Sequence, residues 1–252
     1  MIFPIGDDNS DRTTAPVVTY LLIAINALVF VFLQGLGGND QFTYAFSTVP
    51  QEIRTGVDID RPVPTTIGNE RVNIDLQPTP GSVYLTLLTS MFMHGSLMHL
   101  FGNMLYLWIF GDNIEHALGR QRFLAFYLLT GIIASLTHVV TTFIFDSNPF
   151  IPSLGASGAI SGVLGGYLVL HPRRSVRVII LSVLTTVPAI VAIGLWFVFQ
   201  LISSFGVLGG GPQSGGGVAY AAHIGGFIAG MALVKFFTIG RGTSATARAR
   251  AI

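Results

Sequence analysis

The sequence contains no cysteine among its 252 residues, and only 10% of its residues are charged. The absence of cysteine excludes disulfides and thiolate chemistry. Soluble domains typically carry about 25% charged residues, so the scarcity of charge argues against a soluble protein. The net charge of +1 gives no basic field for a nucleic acid, and no nucleic-acid partner is expected. What remains is 51% hydrophobic residues and a mean hydropathy of +0.66, which indicate a membrane protein.

The amino-terminal residues also lack the basic start and small-residue cleavage site of a signal peptide. The first apolar segment is therefore expected to remain as a helix. The absence of a targeting segment favours a prokaryotic plasma membrane as the location.

Six apolar segments are candidates for membrane-spanning helices, which need about 20 apolar residues each. They are 16–36, 96–112, 121–143, 157–170, 176–202 and 218–237. Pro188 is expected to kink the fifth. We therefore predict an all-α, six-helix membrane domain over 16–238, with a short segment 1–15 before it and a basic tail 239–252 after it.

Basic residues set the predicted orientation. With the amino terminus inside, ten of the thirteen Lys and Arg residues lie in inner segments, and the other three, Arg54, Arg61 and Arg71, lie in the outer loop 37–83. This predicts a multi-pass cell-membrane protein with both termini in the cytoplasm. The other long outer loop, 203–217, is rich in glycine and is either a plain linker or a mobile flap.

Polar residues from three of these segments are expected at one depth, near the outer surface. Ser157 begins the fourth segment, and His223 lies roughly 8 Å down the sixth at 1.5 Å per residue. His99 and Asn103 lie one turn apart on the second. Glycines at four-residue spacing, 158, 162 and 166 with 226 and 230, would allow close helix contact and bring Ser157 near His223.

Each of these residues also has a structural interpretation. Ser157 could be a small packing residue, and His223, His99 and Asn103 could bond neighbouring helices. Their shared depth favours a serine nucleophile with a histidine base. A helix amino terminus at Ser157 would supply N–H groups for an oxyanion. No aspartate or glutamate is expected in this layer, and Asp146 in the outer loop is the only nearby carboxylate, so a Ser–His dyad is predicted and not a triad.

Four motifs in this order resemble the rhomboid family of intramembrane serine proteases. They are HGSLMHLFGN at 94–103, GDNIE at 111–115, GASG at 155–158 and AHIGG at 222–226. The resemblance implies Ser157 as nucleophile, His223 as general base, and His99, Asn103 and the Gly155 segment on the oxyanion and substrate side. It implies substrates that are transmembrane proteins cleaved within or near their span, a lipid bilayer as surroundings, and no metal or other cofactor.

The chain departs from the family pattern at Ser161, where some members carry a tyrosine that packs on the catalytic histidine. The group that supports His223 is therefore open. A non-catalytic membrane-protein binder on the same scaffold and a small-solute transporter are the alternative functions. A transporter predicts polar groups through the full membrane depth, and no internal repeat supports it.

Overall fold

The computed structural model describes residues 2–67, 70–204 and 216–240, and the chain is mostly helical. The helices are α1 Val17–Leu28, α2 Asp40–Ala45, α3 Pro50–Thr55, α4 Thr86–Thr89, α5 Leu97–Leu118, α6 Arg120–Ile144, α7 Ser157–Leu170, α8 Ala189–Ser204 and α9 Gly216–Thr238. The strands are β1 Ile2–Asp7, β2 Pro62–Ile67, β3 Glu70–Asp75, β4 Ser175–Ile180 and β5 Val183–Pro188.

Two described helices are long and apolar enough to cross a membrane, namely α6 and the Tyr220–Thr238 part of α9. Three further predicted spans correspond to shorter apolar helices: α1 with its π-helical extension Val29–Leu33, α7, and α8. The sixth, α5, has 22 residues. Helix length and composition thus bear out two spans, and the six-span count stays a prediction.

Helix α7 is the centre of the bundle and packs against α5, α6 and α9. Its side chains Ile160, Val163, Leu164 and Tyr167 are buried in the main hydrophobic core. These side chains are closely packed against the neighbouring helices, and this packing holds α7 in a fixed position within the bundle. Ser157 is at one end of α7, which we call the serine end of the bundle.

Glycines let α7 and α9 approach at backbone distance. A methyl group at Gly226 would clash with the carbonyl oxygen of Gly158, and one at Gly230 would clash with that of Gly162. The predicted glycine faces therefore meet. Because small residues allow such contact, the residues near the start of α9 come close to the start of α7.

The predicted fifth span is wrong in its first half, and the all-α prediction is corrected with it. Residues of β4 and β5 form an antiparallel hairpin, and only Ala189–Ser204 is helical. Leu181 and Ser182 make the two-residue turn with positive φ, as tight hairpins require. Pro188 does not kink a helix; it is the last residue of β5.

The amino-terminal segment completes this sheet. Strand β1 pairs antiparallel with β4, with an irregular register between Pro4 and Gly6, and the strand order is β1-β4-β5. Val176 and Val178 of β4 point into the main core while alternate residues are exposed. The apolar run 176–187 is therefore a half-buried strand pair and not part of a spanning helix.

The loop 37–83 is folded. It contains α2, α3 and the β2–β3 hairpin, and it is tied to the loop before α7 by the bridge between Thr48 and Ser153. Most of the glycine-rich loop 203–217 and of the tail 239–252 lies outside the described residues, and the predicted flap lies there with them.

A buried polar network fastens the end of the bundle opposite Ser157, and we call it the amino-terminal cluster. Its members are Asp7, Arg12, Asp112, Asn113, Tyr167 and Arg174. The Asp7 carboxylate accepts from the Tyr167 hydroxyl at 2.6 Å and from Asn113 Nδ2 at 2.7 Å. Burial raises the pKa of Asp7 to about 7, against the hydrogen bond from Tyr167. Arg12 pairs with Asp112, and Arg174 bonds Asn113.

Candidate active site

Ser157 is the first residue of α7, and its position depends on the residue two places earlier. Gly155 has φ +121°, which favours glycine. A Cβ at Gly155 would also lie 2.8 Å from His99 Nε2. The chain therefore turns sharply into the helix, and the first N–H groups of α7 are left without intrahelical acceptors near the Ser157 side chain.

His223 of α9 lies directly opposite. Its Nε2 is 2.8 Å from Ser157 Oγ, a normal hydrogen-bond distance for a hydroxyl and an imidazole. The α7–α9 glycine contacts hold the two residues at this separation, since both lie within two turns of Gly158 and Gly226. Such a pair can transfer a proton from the hydroxyl to the ring.

The second ring nitrogen of His223 has a partner that the sequence analysis missed. Nδ1 lies 2.9 Å from Oε1 of Gln200, a buried side chain on α8. The rings of Trp196 and Tyr220 are also close to the imidazole, each with its centroid 6.3 Å from that of the His223 ring. The one available signal was a lone amide in the apolar sequence of α8.

Ser161 is not among the described hydrogen-bond partners of His223. Its hydroxyl donates to the carbonyl oxygen of Ser157 at 2.6 Å, within α7. Asp146 is exposed, and the described hydrogen bonds of His223 go to Gln200 and Ser157. The side chain that supports the His223 imidazole is therefore Gln200 on α8, and not Ser161 or Asp146.

Asn103 and His99 of α5 lie on the other side of the Gly155 turn. Asn103 Nδ2 donates to Nε2 of His94 at 2.9 Å, and the rings of His94 and His99 meet edge to face at 5.1 Å. His94, the first residue of the motif at 94–103, is fully buried and was not predicted as a site residue. Gln34 fixes its backbone, accepting from the His94 N–H at 3.0 Å and donating to its carbonyl at 2.9 Å.

These residues form one group, which we call the serine-end cluster: Ser157, His223, Gln200, His94, His99 and Asn103. A cavity of about 30 Å³ adjoins it, between Ser157, His223, Ser90 and Ser135. This volume suffices for a water molecule with polar partners. Within the described part of the chain, no group of three or more His, Asp or Glu residues is placed to hold a metal ion.

An apolar layer separates the two polar clusters. Leu107 and Phe110 of α5 and Val163 and Leu164 of α7 are fully buried between them. A transporter needs polar groups along the full depth of the bundle, and on α5 and α7 this layer is apolar.

Comparison with known proteins gives a consistent family signal. A family model described as "Rhomboid domain" matches residues 81–239. The rhomboid protease GluP of Bacillus subtilis is 31% identical over 224 residues, covering 86% of this chain and 35% of that protein. The mitochondrial rhomboid protein 1 of Saccharomyces cerevisiae is 33% identical over 147 residues, 58% of this chain and 40% of the relative.

A third relative is the mitochondrial presenilin-associated rhomboid-like protein of Mus musculus, 38% identical over 99 residues, which cover 39% of this chain and 26% of that protein. The chain thus matches between about a quarter and two fifths of the length of these relatives.

The relatives also correct the predicted location. The mouse, rat and yeast relatives are mitochondrial by name, which contradicts the predicted prokaryotic plasma membrane. That expectation, with cytoplasmic termini, is therefore wrong. It relied on the first residues of the chain, which carry little information about location.

Proposed function

The chain belongs to the rhomboid family, and from this premise we propose that it is a serine endopeptidase that cleaves transmembrane proteins within or near their membrane span. One observation carries the proposal: His223 Nε2 lies 2.8 Å from Ser157 Oγ at the amino terminus of α7. A nucleophile and its base within hydrogen-bond reach are the minimum that acyl transfer requires.

In the proposed reaction, His223 Nε2 takes the Ser157 proton while Oγ attacks the carbonyl carbon of the scissile peptide bond. The oxyanion forms beside the Ser157 N–H and the side chains of His99 and Asn103, and each such donor typically lowers the barrier by about 3 kcal/mol. The protonated imidazole then gives its proton to the leaving amine, and an acyl-enzyme remains. Water, deprotonated by His223, hydrolyses the ester and regenerates Ser157.

The proposed architecture is a six-span membrane domain over 16–238, made by α1 with its extension, α5, α6, α7, α8 and α9. The amino-terminal segment and the end of α9 then lie at the end of the bundle that holds the amino-terminal cluster, and Ser157 opens toward the other side. This arrangement places the site about one turn below the surface, where water can enter and a span can reach from lipid.

Labelling with a serine-directed fluorophosphonate tests the function. We expect wild-type protein to be labelled, and Ser157→Ala and His223→Ala to be unlabelled and inactive on a transmembrane substrate. Ser161→Ala is the matched control, because that hydroxyl bonds only a backbone carbonyl on the same helix. Loss of labelling by this control alone would contradict the assignment of Ser157.

Substrate binding without any Ser157-dependent labelling would instead identify a non-catalytic binder on the same scaffold. Measuring both substrate binding and labelling distinguishes a binder from a protease. Ser157→Ala should leave the binding of a non-catalytic binder unchanged, whereas it should abolish the labelling and activity of a protease. A solute-transport assay in vesicles covers the remaining alternative, which the apolar layer between the clusters disfavours.

We propose that substrates enter between α5 and α8, whose facing rings Tyr106 and Trp196 have centroids 6.5 Å apart. The sequence has no cysteine, so Tyr106→Cys with Trp196→Cys gives a specific pair for a short thiol cross-linker. We expect cross-linking to block cleavage of a transmembrane substrate while fluorophosphonate labelling continues. Unchanged cleavage after complete cross-linking would exclude this entry route.

A further inference from the structure

Gln200 is the one polar residue in the otherwise apolar stretch 189–202 of helix α8, and its side chain is buried. Helix α8 carries no charged residue, and Gln200 is only 7% exposed. A buried amide without partners is unfavourable by a few kcal/mol in an apolar medium. Its described partner is His223 Nδ1 at 2.9 Å.

The identity of the two atoms fixes the protonation of the ring. Oε1 of Gln200 is an acceptor only, so a hydrogen bond at this contact requires that Nδ1 of His223 carry the proton. The lone pair of the neutral ring then lies on Nε2, which faces Ser157 Oγ at 2.8 Å. The opposite tautomer would place a proton between Nε2 and Oγ and leave Nδ1 facing a carbonyl oxygen, with no hydrogen between them.

Aromatic contacts hold α8 where this bond can form. Phe197 stacks on Phe227 of α9 with ring centroids 4.3 Å apart, and Trp196 lies 6.2 Å from the same ring. Phe197 and Trp196 are three and four residues before Gln200, one turn along the same helix. The packing of α8 on α9 therefore positions the Gln200 side chain before any substrate binds.

We propose that Gln200 is the positioning residue of the dyad, selecting the Nδ1-protonated tautomer of His223 and so directing Nε2 toward Ser157. The inference rests on the proposed function for its catalytic consequence. It gives the dyad a neutral third member in the place that a carboxylate takes in a Ser–His–Asp triad. Ser161 takes no part in it, because its hydroxyl bonds the Ser157 carbonyl.

A neutral amide supports the ring but adds no charge to stabilise the imidazolium that forms during attack. Two substitutions separate these effects. Gln200→Leu removes the acceptor at similar volume, and Gln200→Glu keeps an acceptor and adds a negative charge that favours the protonated ring. Gly194→Ala is the control for disturbance of α8, because a methyl group there meets no atom within 4 Å.

We expect Gln200→Leu to lower kcat for a transmembrane substrate about 10- to 100-fold with KM nearly unchanged, as loss of one buried hydrogen bond to the base implies. We expect Gln200→Glu to recover activity and to move the acidic limb of its pH–kcat/KM profile to higher pH. Gly194→Ala should keep the wild-type profile. Wild-type kcat and pH profile in a folded Gln200→Leu variant would overturn the proposal.

A second measurement does not depend on turnover. In protein with ¹⁵N-labelled histidine, the ring nitrogens of His223 report which one carries the proton. We expect Nδ1 to be the protonated nitrogen in wild type, and a mixture of tautomers in Gln200→Leu. If wild type shows no Ser157-dependent labelling, the proposed protease function fails while this spectrum still decides the role of Gln200. Identical spectra in the two proteins would refute that role.

Discussion

The two polar clusters lie at opposite ends of the same helices, α5 and α7, and are built on different chemistry. The amino-terminal cluster contains carboxylates and guanidinium groups: Arg12 forms an ion pair with Asp112, and Arg174 donates a hydrogen bond to the Asn113 amide oxygen. The described serine-end cluster contains only hydroxyl, amide and imidazole groups. Both are buried, so depth in the bundle does not distinguish them.

The difference shows how one bundle can hold polar groups for two purposes. Hydrogen bonds from Asn113 and Tyr167 to the Asp7 carboxylate fix the end of β1 to α5 and α7. At the serine end, a left-handed glycine and a small cavity accompany neutral groups that can exchange protons. We interpret the first cluster as an anchor and the second as a reactive site.

The largest effect is expected from a displacement of α9. This helix supplies His223 to the serine-end cluster and contributes no member to the amino-terminal cluster. Gly230→Ala would press a methyl group against the Gly162 carbonyl. Such overpacking typically destabilises by about 1–3 kcal/mol. We expect cleavage to fall at least tenfold because Ser157 and His223 separate. Thermal unfolding in detergent and substrate cleavage are the measurements.

Gly102→Ala on α5 is the control, because a methyl group there meets no atom within 4 Å. Equal activity in Gly230→Ala and Gly102→Ala would show that the glycine contact does not set the position of His223.

The pH dependence of the free energy of unfolding tests the role of Asp7 in the amino-terminal cluster. The pKa of Asp7 is raised by burial from 3.8 to about 7, so between these values the folded protein keeps a proton that the unfolded chain has released. The Asp7 contribution to the free energy of unfolding should therefore fall as pH rises from about 4 to 7, by no more than about 1.4 kcal/mol per pH unit. Asp7→Asn should flatten this slope.

Chemical or thermal unfolding at several pH values between 4 and 8, on wild type and Asp7→Asn, makes the measurement. Glu52 in the folded outer loop also has its pKa raised by burial to about 7, so Glu52→Gln is needed as a second variant to separate the two contributions. A wild-type slope that survives in the double variant would contradict the assignment.

The smallest expected effect concerns the ion pair at the edge of the anchor. Asp112 is 4% exposed and Arg12 is 26% exposed, so the pair is partly screened by water. We expect Arg12→Ala to lower the free energy of unfolding by about 1–2 kcal/mol, less than a fully buried pair. Labelling of Ser157 by fluorophosphonate should be unchanged, since the apolar layer separates the clusters. Lost labelling in folded protein would show that the clusters are coupled.

Much of this arrangement could be predicted along the chain. The start and end of α7 coincide with the predicted segment 157–170, and the four-residue glycine spacing indicated the face on which α7 and α9 meet. Hydropathy and small-residue spacing are local properties, and they were sufficient for these elements. They failed at 176–188, because β-branched apolar residues raise hydropathy equally in a strand and in a spanning helix.

The apolar composition, the asymmetry of basic residues, and a serine and a histidine near the start of two apolar segments can all be read directly from the amino-acid order. The pairing of β1 with β4, the contact of His94 with Asn103 and the hydrogen bond of Gln200 to His223 become visible only once the chain is folded. The physical reason is the same in each case. Hydropathy reports whether a side chain prefers lipid or water, whereas a hydrogen bond between residues far apart in the chain depends on how the helices and strands pack.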